Sequence, residues 1–255
     1  MKNIKLIVVS SMALAILAAC GGGDPVPAPT HEVVTTSAEG LWKGTTDNGR
    51  NVIGLVLDDE SFWLLYSSPT NSNIIAGAIQ GSSFSNNGSF ASLNAIDFNL
   101  EGKGLLASIL SVSYTQKQSF NGTAHYSAIN NPTLAFTTNY SADYDQAPSL
   151  AAIAGTYLGA FSDKSGSESG TLTISSGGAV KLSALSGCTS VGTVSPRAKG
   201  NAYNLSLKFD GVPCSNMNST VTGIGYFDSS TKRFYGLGLN SAHTDGFIIS
   251  VQPSI

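Results

Sequence analysis

Between Tyr203 and Phe209 every second residue is apolar: Tyr203-x-Leu205-x-Leu207-x-Phe209. Successive side chains of an extended strand point to opposite faces, so this spacing builds a strand with one dry and one wet side. A helical face would need a period of 3.6 instead. The same alternation returns at Ile96, Phe98, Leu100, at Leu110, Val112, Tyr114, and at Leu172, Ile174. From Gly40 onward almost no stretch carries a helical period. Short runs rich in Val, Ile, Leu, Phe, Tyr and Thr are punctuated by Asp47-Asn48-Gly49, Ser85 to Gly88, Asp163 to Gly166 and Ser176-Gly177-Gly178. Such Asn-, Asp- and Gly-containing clusters are turn signals. The body is therefore expected to be all-β.

The pattern occurs twice. Gly40-Leu41-Trp42-Lys43-Gly44 matches Gly155-Thr156-Tyr157-Leu158-Gly159 as Gly-x-aromatic-x-Gly. Gly77 to Gly81 matches Gly187 to Gly192, and Phe120 to Tyr126 matches Val221 to Phe227. The separation falls from 115 (Gly40 to Gly155) to 101 (Gly122 to Gly223), which predicts a shorter second copy. Strands are expected to begin near Leu41, Val52, Phe62, Ile74, Phe90, Ile109, Phe120 and Leu134. In the second copy they begin near Thr156, Gly170, Ala179, Thr189, Ala202, Thr220, Phe234 and Gly246. Eight antiparallel strands joined by short turns can close on themselves and abolish free edges. The expectation is two tandem eight-stranded up-and-down β-barrels, 38–145 and 150–255. Segment 141–152 is the boundary, with room for one short helical turn.

Ahead of the body, Lys2 and Lys5 precede an apolar run from Leu6 to Ala18, and small residues follow. This is the layout of a secretory signal, residues 1–19. The run is shorter than the roughly 20 residues of a membrane span. Leu17-Ala18-Ala19-Cys20 resembles the lipobox of the bacterial lipoprotein family. The resemblance implies that Cys20 becomes the mature N-terminus, carrying a diacylglyceryl thioether and an N-acyl chain. Two or more acyl chains make a stable membrane anchor where one does not. Gly21 after the cysteine, rather than Asp, implies the outer membrane by the enteric sorting rule, on either its periplasmic or its external face. Residues 20–37, with Gly21-Gly22-Gly23 and Pro25, Pro27 and Pro29, read as a flexible to extended tether.

Gly-x-Trp-x-Gly opening an eight-stranded barrel resembles the start of a lipocalin. Cys-Gly-Gly-Gly, a linker and small Gly-rich barrels are also similar to surface lipoproteins of the transferrin-binding type. Both resemblances concern architecture and leave function open.

Cys188 and Cys214 remain once Cys20 is assigned to the lipid. An even pair in an exported chain is expected to form a disulfide. Charged residues make up only 11% and the net charge is −3. No basic stripe occurs, which argues against a nucleic-acid partner.

No catalytic or cofactor motif stands out. The histidines are His31 in the tether, His125 in a strand and His243 in a turn, without metal spacing. Asp58-Asp59-Glu60 is the one acidic run and lacks the alternating ligands of a calcium loop. It is expected to be a solvated hairpin tip. Asp163 to Glu168 has a faint metal-loop look, against which Lys164 counts. Arg197, Lys199, Lys181 and Lys208 read as scattered surface charge, or as one basic wall. Phe62-Trp63-Leu64-Leu65-Tyr66 is apolar on both faces, so this strand is expected to pack against the other barrel or a partner, with docking of the two copies preferred. The resulting expectation is a lipid-anchored, non-catalytic binding or envelope-interaction module with an unidentified protein partner, no metal and no cofactor. Rival readings are a lipocalin-like carrier of a small apolar ligand and a cell-envelope hydrolase.

Overall fold

The computed structural model describes residues 36–127 and 132–254. The signal segment, Cys20, His31 and nearly all of the tether lie outside the described residues.

The first copy runs β1 (Gly40–Thr46), β2 (Asn51–Val56), β3 (Ser61–Ser67), β4 (Ile75–Ser82), β5 (Phe84–Asn86), β6 (Ser89–Asn99), β7 (Gly104–Thr115), β8 (Ser119–Tyr126) and β9 (Thr133–Tyr140). Sequential strands pair antiparallel, β9 returns to β1, and β4 pairs with β6. Eight strands thus form a ring, and the three-residue β5 hangs on the start of β6. The second copy runs β10 (Gly155–Asp163), β11 (Gly166–Ile174), β12 (Ala179–Ala184), β13 (Thr189–Pro196), β14 (Tyr203–Phe209), β15 (Thr220–Asp228), β16 (Arg233–Leu239) and β17 (Gly246–Pro253). Here β17 returns to β10. The architecture is two closed eight-stranded antiparallel barrels in tandem.

The motif glycines sit where each ring closes. Gly44 pairs with Thr138 and Gly159 with Val251. A Cβ at Gly44 would collide with the Thr137 carbonyl oxygen, and one at Gly159 with that of Ser250. Only a residue without a side chain lets the first strand pass so close to the last.

The expected shortening of the second copy does not occur. Gly40 and Gly155, which open the barrels, are 115 apart, and Ser119 and Arg233, which open the seventh strands, are 114 apart. Phe120 to Tyr126 lies on the seventh strand of its barrel, whereas Val221 to Phe227 lies on the sixth of the other. The partner of Phe120 is Phe234, and both are fully buried.

Each interior is filled by side chains. In the first barrel Trp42 stacks on Phe120 at 5.3 Å, and Phe90 meets Phe120 and Phe62 edge-on at 4.9 and 5.3 Å. In the second, Phe234 lies between Tyr157 and Tyr203 at 6.4 and 6.2 Å. The motif aromatics do the same job in both copies. Trp42 Nε1 donates to the Ala38 carbonyl at 3.1 Å, and Tyr157 Oη to that of Ile153 at 2.8 Å. Ala38 and Ile153 are fully buried, so each barrel's entry segment plugs its own end.

The boundary contains two turns of helix, a 3₁₀ turn (Ala142–Asp145) and α1 (Leu150–Ile153). The far end of the second barrel is crossed by residues 210–219. Cys214 is disulfide-bonded to Cys188 in the neighbouring hairpin, and Asn216 Nδ2 donates to the Gly246 carbonyl at 2.9 Å.

A third core lies between the barrels. Alternation sends Phe62, Leu64 and Tyr66 into the first barrel and Trp63 and Leu65 outward. There they join Leu41 and Leu55, and Tyr226, Tyr235, Leu237 and Ile248 from the outer wall of β15–β17. The doubly apolar β3 therefore docks on the other barrel, as its composition requires.

Candidate site: the cleft between the barrels

Lys43 lies on β1 and its side chain reaches out of the first barrel. Nζ stands 3.0 Å from Asp143 Oδ2, in the boundary turn, and 3.0 Å from Asp228 Oδ2, at the end of β15. It also sits 5.6 Å above the Tyr226 ring, which is stacked on Tyr235 at 6.2 Å. Burial alone would lower the lysine pKa, but the hydrogen bonds and charges of Asp228 and Asp143 outweigh it and hold the ammonium above its ordinary value. Asp228 is buried, which opposes ionisation. Hydrogen bonds from Ser230 and Thr231 and the Lys43 charge reverse this and hold the carboxylate below its usual range. Burial together with the charges of Asp228 and Asp143 pushes the Tyr226 phenol up.

Beside this triad opens a cleft of about 390 Å³. Lys43, Val52, Ile53, Leu65, Ser67, Asn73 and Ile75 line it from the first barrel, and Asp228, Thr231, Arg233, Tyr235 and Gln252 from the second. A second chamber of about 340 Å³ shares Asn73, Ile75, Arg233 and Gln252 with it and continues to Leu158, Ser162 and Ile248. Arg233 opens β16 and stands at the junction. Its Nη1 donates to the Asn73 carbonyl at 3.3 Å and to Ser250 Oγ at 3.1 Å, one acceptor from each barrel. Among the described residues it makes no ion pair. A fixed, formally positive fork thus faces a cleft with a half-apolar floor and a polar rim, the mixture that fixes small polar ligands.

The charged runs picked out in sequence have other places. Asp58 and Asp59 form the exposed tip of the β2–β3 hairpin, as expected, and from there they also accept from Arg197 Nη2 at 2.8 and 3.0 Å across the barrel–barrel junction. Arg197 has therefore left the basic wall to clamp the first barrel, while Lys181 and Lys208 flank Val191 on the outer wall of the second. Glu60 binds Ser83 and Ser85 within its own barrel. In the 163–168 hairpin, Asp163 accepts from Ser165 N at 2.7 Å and Glu168 from Ser186 N at 2.6 Å, two separate contacts rather than one centre. Among the described residues no group of three His, Cys, Asp or Glu side chains could hold a metal ion.

His125 Nδ1 lies 3.0 Å from Thr133 Oγ1, a cross-strand contact on the exposed face. His243 sits in the 240–245 turn and lines a separate cleft of about 350 Å³ with Trp63 and Gln80. Neither histidine joins a serine and a carboxylate in the hydrogen bonds of the described residues.

Sequence reasoning missed Lys43, Asp228 and Arg233. A signal existed: Asp228 and Arg233 end two strongly apolar strands and face each other across a hairpin. A charged pair there marks the edge of a buried surface. Compared with known proteins, the chain matches no protein-family model and no curated sequence.

Proposed function

We propose that the chain is a lipid-anchored envelope protein whose body is a non-catalytic binding module, with the cleft between the barrels as its ligand site. Acyl chains on Cys20 hold it at the outer membrane, and the tether gives the body reach. The observation that carries the reading is Arg233, fixed by one neutral acceptor from each barrel and left without a carboxylate at the mouth of a 390 Å³ cleft. A buried or half-buried charge without a partner is costly, and a ligand is one way to satisfy it.

The carrier alternative asks for an internal cavity of roughly 300 Å³ or more. The interiors hold the aromatic stacks described above. The pocket at the mouth of the first barrel is about 170 Å³, below that size, and sets Arg50, Asp97, Glu101 and Lys103 beside Leu106 and Leu134. The hydrolase alternative lacks support from the positions of His125 and His243.

Saturation-transfer NMR of the intact protein with small polar envelope components tests the reading. Signal transfer to one or more compounds is expected, with each compound recovered unchanged. Conversion of a bound compound to product would overturn the non-catalytic assignment.

A further inference from the structure

We infer that the cleft takes a sugar bearing one acidic group, with that group on Arg233 and the ring lying along Ile53, Leu65 and Tyr235. This rests on the cleft being a ligand site and adds the class of ligand.

Charge comes first. The lining carries two cations, Lys43 and Arg233, and one anion, Asp228. The anion is already engaged. Its Oδ2 accepts from Lys43, and its Oδ1 accepts from Ser230 N at 3.0 Å, Ser230 Oγ at 2.6 Å and Thr231 N at 3.2 Å. Although Asp228 faces Arg233 across the ladder, the two side chains make no ion pair. Lys43 is answered by two carboxylates, Asp143 and Asp228, whereas Arg233 is answered by none among the described residues, so it is the charge that a single acidic group can meet.

Donor geometry agrees. Nη1 of Arg233 is committed to both barrels, while Nη2 makes no hydrogen bond within the described residues. A guanidinium presents its remaining N–H groups in a plane that matches the oxygens of a carboxylate or phosphate. Lys43 has three N–H donors and uses two on Asp143 and Asp228, so one remains.

The rest of the wall selects a hydroxylated body. Asn51, Ser72 and Thr231 supply donors and acceptors above an apolar floor. A purely apolar anion would strip water from these groups without replacing it, which is unfavourable. A neutral sugar would leave Arg233 unanswered. A ligand with several acidic groups would find only Arg233 unanswered and would bring its other acidic groups towards Asp228. A volume of about 390 Å³ falls within the usual small-molecule range of about 300–1,000 Å³.

The same chemistry can come from a uronic acid or from a sugar phosphate, and calorimetric titration separates them. Galacturonate, glucose 6-phosphate, galactose and propionate are titrated into the intact protein, and NMR shifts locate the binding. At least one acidic sugar is expected to bind ten-fold or more tightly than both galactose and propionate, with shifts at Arg233 and Tyr235. The tighter of the two acids names the source. Arg233→Gln should lower acidic-sugar affinity at least ten-fold and leave galactose unaffected. Arg233→Lys, which keeps the charge but not the fork, should retain part of the preference and guards against misfolding of the first variant. Galactose binding in the cleft as tightly as either acid would overturn the ligand class while leaving the binding module intact. Absence of cleft shifts with all four compounds would overturn the ligand class, and compounds recovered bound elsewhere in the saturation-transfer screen would then relocate the site.

Discussion

Asp97 is 1% exposed, yet it is a carboxyl group inside the mouth of the first barrel. Its oxygens accept from Tyr66 Oη at 2.8 Å and Tyr126 Oη at 2.9 Å, and Asn99 Nδ2 donates to Tyr66 Oη at 3.0 Å. Arg50 lies over the Tyr66 ring at 5.5 Å and is paired with Glu101 at 2.8 Å. Desolvation dominates and pushes the Asp97 pKa up to about 6, against the lowering effect of the two tyrosine bonds and the Arg50 charge. The folded chain therefore holds this proton more tightly than the unfolded chain does. Its contribution to stability is fully present below the unfolded value near 4 and is lost as the pH rises through about 6. Asp59, Asp145 and Asp228 have lowered pKa values and act oppositely: their stabilisation is present above about 4 and is lost as pH falls through their folded values. Asp97→Asn should remove the first effect alone. The stability of the native protein relative to that variant should fall by about 2–3 kcal/mol between pH 4 and pH 7 in urea titrations. Parallel pH profiles for the two proteins would show that the carboxyl ionises without penalty. Nothing in sequence marks this trio, because Asp97 is 31 residues from Tyr66 and 29 from Tyr126, and only ring closure brings them together.

Among the elements, β2 shows how one strand serves two cores. Val52 and Val56 face the first barrel's interior, and Leu55 faces the second barrel, all nearly or fully buried. Leu55→Lys would bury an unpaired charge in the junction without touching either interior. The intact junction should give a single urea unfolding transition, and this variant two, with a loss of several kcal/mol for coupled unfolding. One transition in both proteins would show that the junction is not what couples the barrels. Strands were largely legible in sequence, since alternation and turn chemistry act locally. The start of β7 is Gly104 rather than Ile109, because Leu105 and Leu106 serve different cores and hide the alternation. The start of β11 is Gly166 rather than Gly170, because Gly166-Ser167-Glu168-Ser169 reads as turn until its ladder with β10 holds it extended. The cleft was not legible, since its residues come from strands far apart in the chain and meet only where two outer walls touch.

At the scale of the whole molecule, the described body holds no helix long and apolar enough to cross a membrane. In the proposed placement the anchor is Cys20. Cys20→Ser should move most of the protein from the membrane pellet to the soluble fraction after cell lysis. Retention in the pellet, resistant to salt and released only by detergent, would remove the lipid-anchor reading. The pieces of the body are tied together at several points: Arg197 to Asp58 and Asp59, Lys43 to Asp143 and Asp228, Arg233 to Asn73. The rings themselves have a further consequence. A sheet with loose margins can recruit another chain's backbone and grow into fibrils. Here the described strands are all flanked on both sides except the three residues of β5, and the Glu60 side chain reaches Ser85 within that short piece. Copies crowded on a surface would jostle without zipping together, so dense display carries little risk of polymerisation.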